Sequence, residues 1–119
     1  MKILIVEDEP LVADLLRDLI EVDGIHRVTG IANDLSSAMR ALDQDRPDLV
    51  LVDLQLAGGT TGFEVAGELR ARGIPCFFTT ATPPPFDIPE LAIGCLEKPY
   101  CIETVSICLR RAEDSIKRG

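Results

Sequence analysis

The 119-residue sequence has a single histidine, His26, and no CxxC pair among its four cysteines. That leaves little for a zinc site, since the usual structural sites gather two cysteines two to four residues apart. A disulfide framework fits no better. Met1–Val6 is one lysine and an apolar run too short for the core of a signal peptide, and Cys76 and Cys95 sit inside apolar runs as small hydrophobes. Cys101 and Cys108 complete a thiol inventory suited to a reducing cytoplasm. Positive charge is also scarce: 12 Lys and Arg face 20 Asp and Glu, for a net charge of −8. Such a surface repels phosphate backbones and anionic lipids, so direct binding of nucleic acid or membrane is not expected. No apolar stretch approaches the length of a bilayer span. The segment after the first apolar run, Glu7-Asp8-Glu9-Pro10, holds no Gly/Ser/Thr phosphate loop, which excludes a flavodoxin-type nucleotide site.

What is present alternates. Lys2–Val6 is a short unbroken apolar run, as in a strand buried on both faces. Pro10 opens a helix in which Leu11, Leu15 and Leu19 recur beside Val12, Leu16 and Ile20, and Gly24 stops it. Arg27–Ala32 reads as a second strand, followed by a helix that Asn33 or Asp34 can cap, with Leu35, Ala38, Met39 and Leu42 on one side. A third strand begins at Asp48–Leu51 in the run DLVLVD. A loop with Gly58, Gly59 and Gly62 leads to a helix with Phe63, Ala66 and Leu69 inward, ended by Gly73. Pro75–Thr80 is a fourth strand. Pro83–Pro85 cannot lie inside a helix, so only 88–93 is left for a fourth helix, short or missing. Cys95–Glu97 is a fifth strand, and a last helix covers roughly Cys101–Lys117 with Ile102, Val105, Leu109 and Ala112 on one face. The pattern predicts one α/β domain over residues 1–119. Five such strands fit a flavodoxin-like doubly wound parallel sheet of order 2-1-3-4-5.

Ligands of such sheets bind beyond the carboxyl ends of the strands, where the winding reverses. Glu7, Asp8 and Glu9 follow the first strand, Asp53 ends the third, Thr80 the fourth, and Lys98 follows the fifth. Neighbouring first and third strands bring Asp8 and Asp53 together, and a hard divalent cation such as Mg²⁺ relieves their repulsion. Lys98 can neutralise phosphoryl oxygens and Thr80 can offer a hydroxyl. Taken singly, each has an ordinary competitor. Glu9 reads as a solvated loop residue, Asp53 could cap a helix, Lys98 could be a surface lysine, and Thr79 and Thr82 rival Thr80. Taken together, acid, acid, hydroxyl and amine at four separate strand ends point to phosphoryl transfer.

Those residues carry a resemblance. ILIVEDE with Glu7 and Asp8, LVLVD with Asp53, the pair Thr80-Ala81, and Lys98-Pro99 resemble the receiver family of response regulators (the CheY-like superfamily) over essentially the whole chain. The resemblance implies the same strand order, Asp53 as phosphoacceptor, and Mg²⁺ held by Asp8, Asp53 and the Gln55 backbone carbonyl, with Glu7 acting through water. It implies catalytic roles for Lys98 and Thr80, a switch formed by Thr80, Ala81 and residue 95, and a cis bond before Pro99. The sequence departs in the loop from Asp53 to Gly62, one residue longer than usual, in the shorter proline-rich segment between Thr80 and Lys98, and at position 95. Leu56-Ala57 stands where Met-Pro is common, and the loop DLQLAGGTTG resembles receivers of alphaproteobacterial general-stress regulators. PCFFTTA resembles stand-alone receivers with a phenylalanine-rich fourth strand. Cys95 occupies the place of the switch aromatic, and Tyr100 reads as a packing residue rather than a substitute for it.

The implied activity is signalling: a histidine kinase or histidine phosphotransfer protein donates a phosphoryl group to Asp53, reshaping the face of the fourth and fifth strands and last helix for a protein target or a homodimer. Such a chain modifies itself and is no turnover enzyme on a separate substrate. Loop reordering at Thr80–Pro85 is expected in place of a helix shift. The alternative is a pseudo-receiver, the same fold as a constitutive protein-binding module that is never phosphorylated. A haloacid-dehalogenase-type phosphatase would need an acid where Gln55 stands. These residues hold no DNA-binding or catalytic output domain, compatible with a stand-alone regulator or part of a longer protein.

Overall fold

A computed structural model describes residues 1–56, 59–85 and 87–118; Ala57 and Gly58 of the glycine loop lie outside the described residues. Along the chain run β1 (Lys2–Val6), α1 (Pro10–Glu21), β2 (Arg27–Ala32), α2 (Leu35–Gln44), β3 (Leu49–Asp53), α3 (Gly62–Ala71), β4 (Cys76–Thr80), β5 (Cys95–Glu97) and α4 (Ile102–Arg118). The strands form one parallel sheet in the order β2-β1-β3-β4-β5, as the alternating pattern predicts. No described helix is long and apolar enough to cross a membrane.

The unbroken apolar runs are explained by two cores. Because side chains alternate across a strand, Ile3, Ile5, Leu49, Leu51 and Phe77 face a cluster completed by α1 and α4. Leu4, Val6, Val50, Val52, Cys76 and Phe78 face a second, completed by α2 and α3. The central strands have no wet face, so every position along them is apolar until the sheet ends.

The helices are set by their ends. Pro10 takes the first turn of α1, where its missing donor costs nothing. Asp34 caps α2 by accepting from the Ser37 amide at 2.8 Å, with the Ser37 hydroxyl returning to the Asp34 amide. Thr61 caps α3. Gly24 and Gly73, following α1 and α3, hold φ of 74° and 72°, the left-handed turn that glycine permits without strain.

Three inward faces differ from the sequence pattern. In α1 the buried stripe is Ala13, Leu16 and Ile20, whereas Leu11 is 85% exposed and Leu15 is half exposed. The helix carries more apolar residues than one stripe can cover, and small Ala13 lets it approach the sheet closely. In α3, Val65, Ala66 and Leu69 are buried, while Phe63 stays 41% exposed and meets the Phe78 ring edge-on at 5.4 Å. In α4 the stripe is Val105, Cys108, Leu109 and Ala112; Ile102, at the first turn, is outside it.

Between β4 and β5 the described residues make a single turn, with the Leu91 and Ala92 amides both donating to the Ile88 carbonyl. Among the described residues no helix therefore stands between β4 and β5. The Ile93 amide then donates to the Cys76 carbonyl at 2.8 Å and the Phe78 amide to the Gly94 carbonyl at 3.0 Å, which leads the chain into β5. The Lys98–Pro99 bond is cis, as the resemblance implies.

Candidate functional site

The site forms where β1 and β3 run out side by side. Val6 is in register with Val52, so the residues that follow, Glu7 and Asp53, are neighbours at the carboxyl edge. Glu7 keeps its backbone paired, its amide donating to the Ala32 carbonyl at 2.8 Å, and its side chain is therefore held inside at 3% exposure. Asp53 is the buried last residue of β3. Asp8 is half-buried, and one carboxylate oxygen each of Glu7, Asp8 and Asp53 lies within 4.8 Å of the others.

Lys98 reaches this cluster from the far side of the sheet. Its amide donates to the Thr80 carbonyl at 2.8 Å, which fixes the chain as it leaves β5. Its ammonium donates to Glu7 Oε1 at 2.8 Å and to Asp53 Oδ2 at 2.9 Å. The other Asp53 oxygen, Oδ1, accepts from the Gln55 amide at 3.0 Å. Gln55 is exposed and bridges antiparallel to Thr61, closing the loop between β3 and α3.

Three carboxylates against one ammonium leave two negative charges uncompensated when all are ionised. At an effective dielectric of 20, two charges about 4 Å apart interact by about 4 kcal/mol, too much to ignore. The strain appears on Glu7. Burial, reinforced by Asp53, pushes its carboxyl up to about 7, although Lys98 and the Glu9 amide pull the other way. Lys98 shows the converse. Burial alone would lower it, but its bonds to Glu7 and Asp53 outweigh that and hold the ammonium above the ordinary lysine range. An all-oxygen donor set with excess negative charge fits a hard divalent cation better than a soft one.

The remaining expected residues fall less directly. Thr80 is buried at the end of β4, but its hydroxyl is turned into its own loop, donating to the Thr82 carbonyl at 3.2 Å and accepting from the Thr82 amide at 3.0 Å. Ala81 follows it and is exposed. Cys95 pairs in register with Phe78, packs against the α2/α3 cluster and stands apart from the carboxylates.

Two features escape a reading by strand ends. Gly62 opens α3 against the backbone of Asp53 and Leu54: a Cβ there would come within 2.7 Å of Leu54 Cα and overlap the Asp53 carbonyl oxygen. Its amide donates to the Leu54 carbonyl at 3.1 Å. Only glycine fits this approach, which its place in a glycine-bearing loop hinted at without revealing. Thr79, next to Thr80, projects to the opposite face, toward Tyr100.

Known proteins share this fold. A family model described as the response regulator receiver domain matches residues 3–105. The phyllosphere-induced regulator PhyR of Methylorubrum extorquens is 38% identical over 116 residues, covering 93% of this chain and 43% of that protein. Among solved structures, the signal receiver domain of a modulated diguanylate cyclase from Desulfovibrio desulfuricans superposes with a TM-score of 0.82 at 31% identity, covering 98% of this chain and 95% of that one. The anti-anti-sigma factor PhyR from Bartonella quintana superposes with a TM-score of 0.83 at 29% identity, covering 98% of this chain and 49% of that one. The chain spans about half the length of such PhyR relatives or less.

Proposed function

The chain belongs to the response regulator receiver domain family, and from that premise we propose that it accepts a phosphoryl group on Asp53 and relays the added charge to a protein-binding surface. The observation that carries this reading is the buried Asp53 carboxylate, held at 2.9 Å by Lys98 beside two further carboxylates. An Asp53 oxygen attacks the phosphorus of a phosphohistidine on a kinase or phosphotransfer protein. A P–O bond forms, the P–N bond to the imidazole breaks, and the ring leaves with the electron pair and is protonated. Lys98 turns from the carboxylates to the phosphoryl oxygens, whose charge it offsets. Mg²⁺, when bound, supplies charge neutralisation and orients those oxygens; Asp8, Asp53 and the Gln55 carbonyl would hold it, with Glu7 acting through water. The Gln55 amide keeps the Asp53 side chain in its rotamer during the approach.

The phosphoryl group adds about 1.5–2 negative charges. Thr80 exchanges its bonds within the loop for one to the phosphoryl group, freeing the Thr82 amide and carbonyl and remodelling the 80–85 loop. With Cys95 in place of the usual ring, Thr80 has no aromatic side chain at position 95 to turn with it, so the loop carries the change to the face of β4, β5 and α4. The Bartonella quintana relative, an anti-anti-sigma factor, supports a protein as the target. The chain modifies itself and turns over no separate substrate.

The test is incubation with acetyl phosphate, with and without Mg²⁺, followed by intact mass. We expect one phosphoryl group, dependent on Mg²⁺ and lost in Asp53→Asn. An unlabelled wild type that also fails to bind Mg²⁺ would replace this reading with a constitutive binding module of the same fold.

A further inference from the structure

Tyr100 is a large polar side chain beside the site that phosphoryl transfer leaves unused. It is 9% exposed, and its ring belongs to the cluster between the sheet, α1 and α4. Its hydroxyl is fully enclosed and has no hydrogen-bond partner among the described residues. A hydroxyl in that position has lost its hydration, with only the nearby Thr79 side chain to offset the loss.

Its surroundings say what it could serve. Thr79 is in register with Asp53 on one side and Leu96 on the other, and shares with Phe77 the face of β4 on which Tyr100 packs. The Thr79 side chain stands beside the Tyr100 hydroxyl without reaching hydrogen-bonding geometry. Lys98, Glu7 and Asp53 are near enough for their charges to act on that hydroxyl, while burial, the strongest influence, pushes it up to about 12. It is therefore neutral, with one proton to donate and lone pairs to accept. Lys98 has three N–H donors and spends two on Glu7 and Asp53.

We infer that Tyr100 is a positioning residue of the phosphoryl-transfer site. Its hydroxyl donates to Thr79 Oγ1 and accepts the third N–H of Lys98 when that ammonium swings from the carboxylates to the phosphoryl group. The inference rests on the reading of Asp53 as phosphoacceptor. It gives the site a second line of contact with β4. Thr80 answers the phosphoryl group on one face of the strand, and Thr79, through Tyr100 and Lys98, answers it on the other. The second line is the more useful because position 95 offers no ring.

The chain contains one tyrosine and no tryptophan, so its intrinsic tyrosine emission reports Tyr100 alone. Labelling with acetyl phosphate and Mg²⁺ is followed by intact mass and by that emission together. The emission should change at the rate at which mass accumulates. Tyr100→Phe, which keeps the ring, should label about three- to tenfold more slowly at saturating donor with an unchanged half-saturation. Thr79→Val should lose as much, Thr79→Ser nothing, and the Tyr100→Phe/Thr79→Val double variant no more than either alone. Wild-type rates in Tyr100→Phe, additive losses in the double variant, or a labelled wild type with unmoved emission would overturn the inference and leave Asp53 as acceptor intact. A wild type that takes no label would remove both.

Discussion

The two halves of the sheet treat the site differently. On the β1–β3 side, four consecutive register pairs, buried on both faces, deliver Glu7 and Asp53 to fixed neighbouring places. On the β4–β5 side the ladder has three pairs, a single turn replaces a helix, and the Thr80 hydroxyl is spent on its own loop. On the reading of Asp53 as phosphoacceptor, the contrast would separate chemistry from readout. Glu7 and Asp53 are buried at the ends of paired central strands, whereas the Thr80 hydroxyl bonds only to its own loop, which is largely exposed.

The contrast can be pressed from both sides. The largest effect is expected from Lys98→Ala, which leaves three carboxylates and no ammonium. Labelling of Asp53 by a small phosphodonor should fall by about 10²–10³-fold, read by intact mass against time. Next, Leu51→Ala in the doubly buried half should destabilise the fold by about 2–5 kcal/mol in urea unfolding, while Pro84→Ala in the response loop should change it by less than about 0.5 kcal/mol. Equal losses would erase the distinction between the halves.

A smaller effect comes from pH. The Glu7 carboxyl keeps its proton up to about 7 when folded, against an ordinary value of 4.5. Between those values the folded chain binds more protons than the unfolded one, so stability should fall as pH rises through that window. Without added metal, the melting temperature should drop by several degrees from pH 5 to 7.5, and Glu7→Gln should flatten the slope. The smallest effect concerns thiols. Burial pushes Cys76 and Cys108 up to about 12, whereas Cys101 is exposed and lowered by its bonds to Thr104. A thiol reagent at neutral pH should modify Cys101 first and leave both buried thiols intact, with no loss of fold.

Much of this was legible because a parallel strand buried on both faces must be apolar until it ends. The switch from LVLV to Asp53, or from ILIV to Glu7, therefore marks the edge of the sheet and the residues there. The helix faces were less legible. The sequence places Leu11, Leu15, Leu19, Val12, Leu16 and Ile20 on α1, and only the docking angle decides that Leu16 and Ile20, with Ala13, go inside. The pattern likewise could not choose among Thr79, Thr80 and Thr82, since all three carry the same hydroxyl and differ only in the side of β4 or the loop from which they project. Gly62 was hidden for another reason: its role is a close approach between segments, and no periodicity records what a missing Cβ makes room for.

The pairing of Lys98 with Glu7 joins residues 91 positions apart in the chain. During synthesis the acids are made well before the amine, and contacts so distant in sequence close late in folding. A growing or truncated chain lacking β5 carries the acidic cluster but not its cation. It would be chemically silent toward a phosphodonor, so competence to receive a signal arrives only with a finished fold.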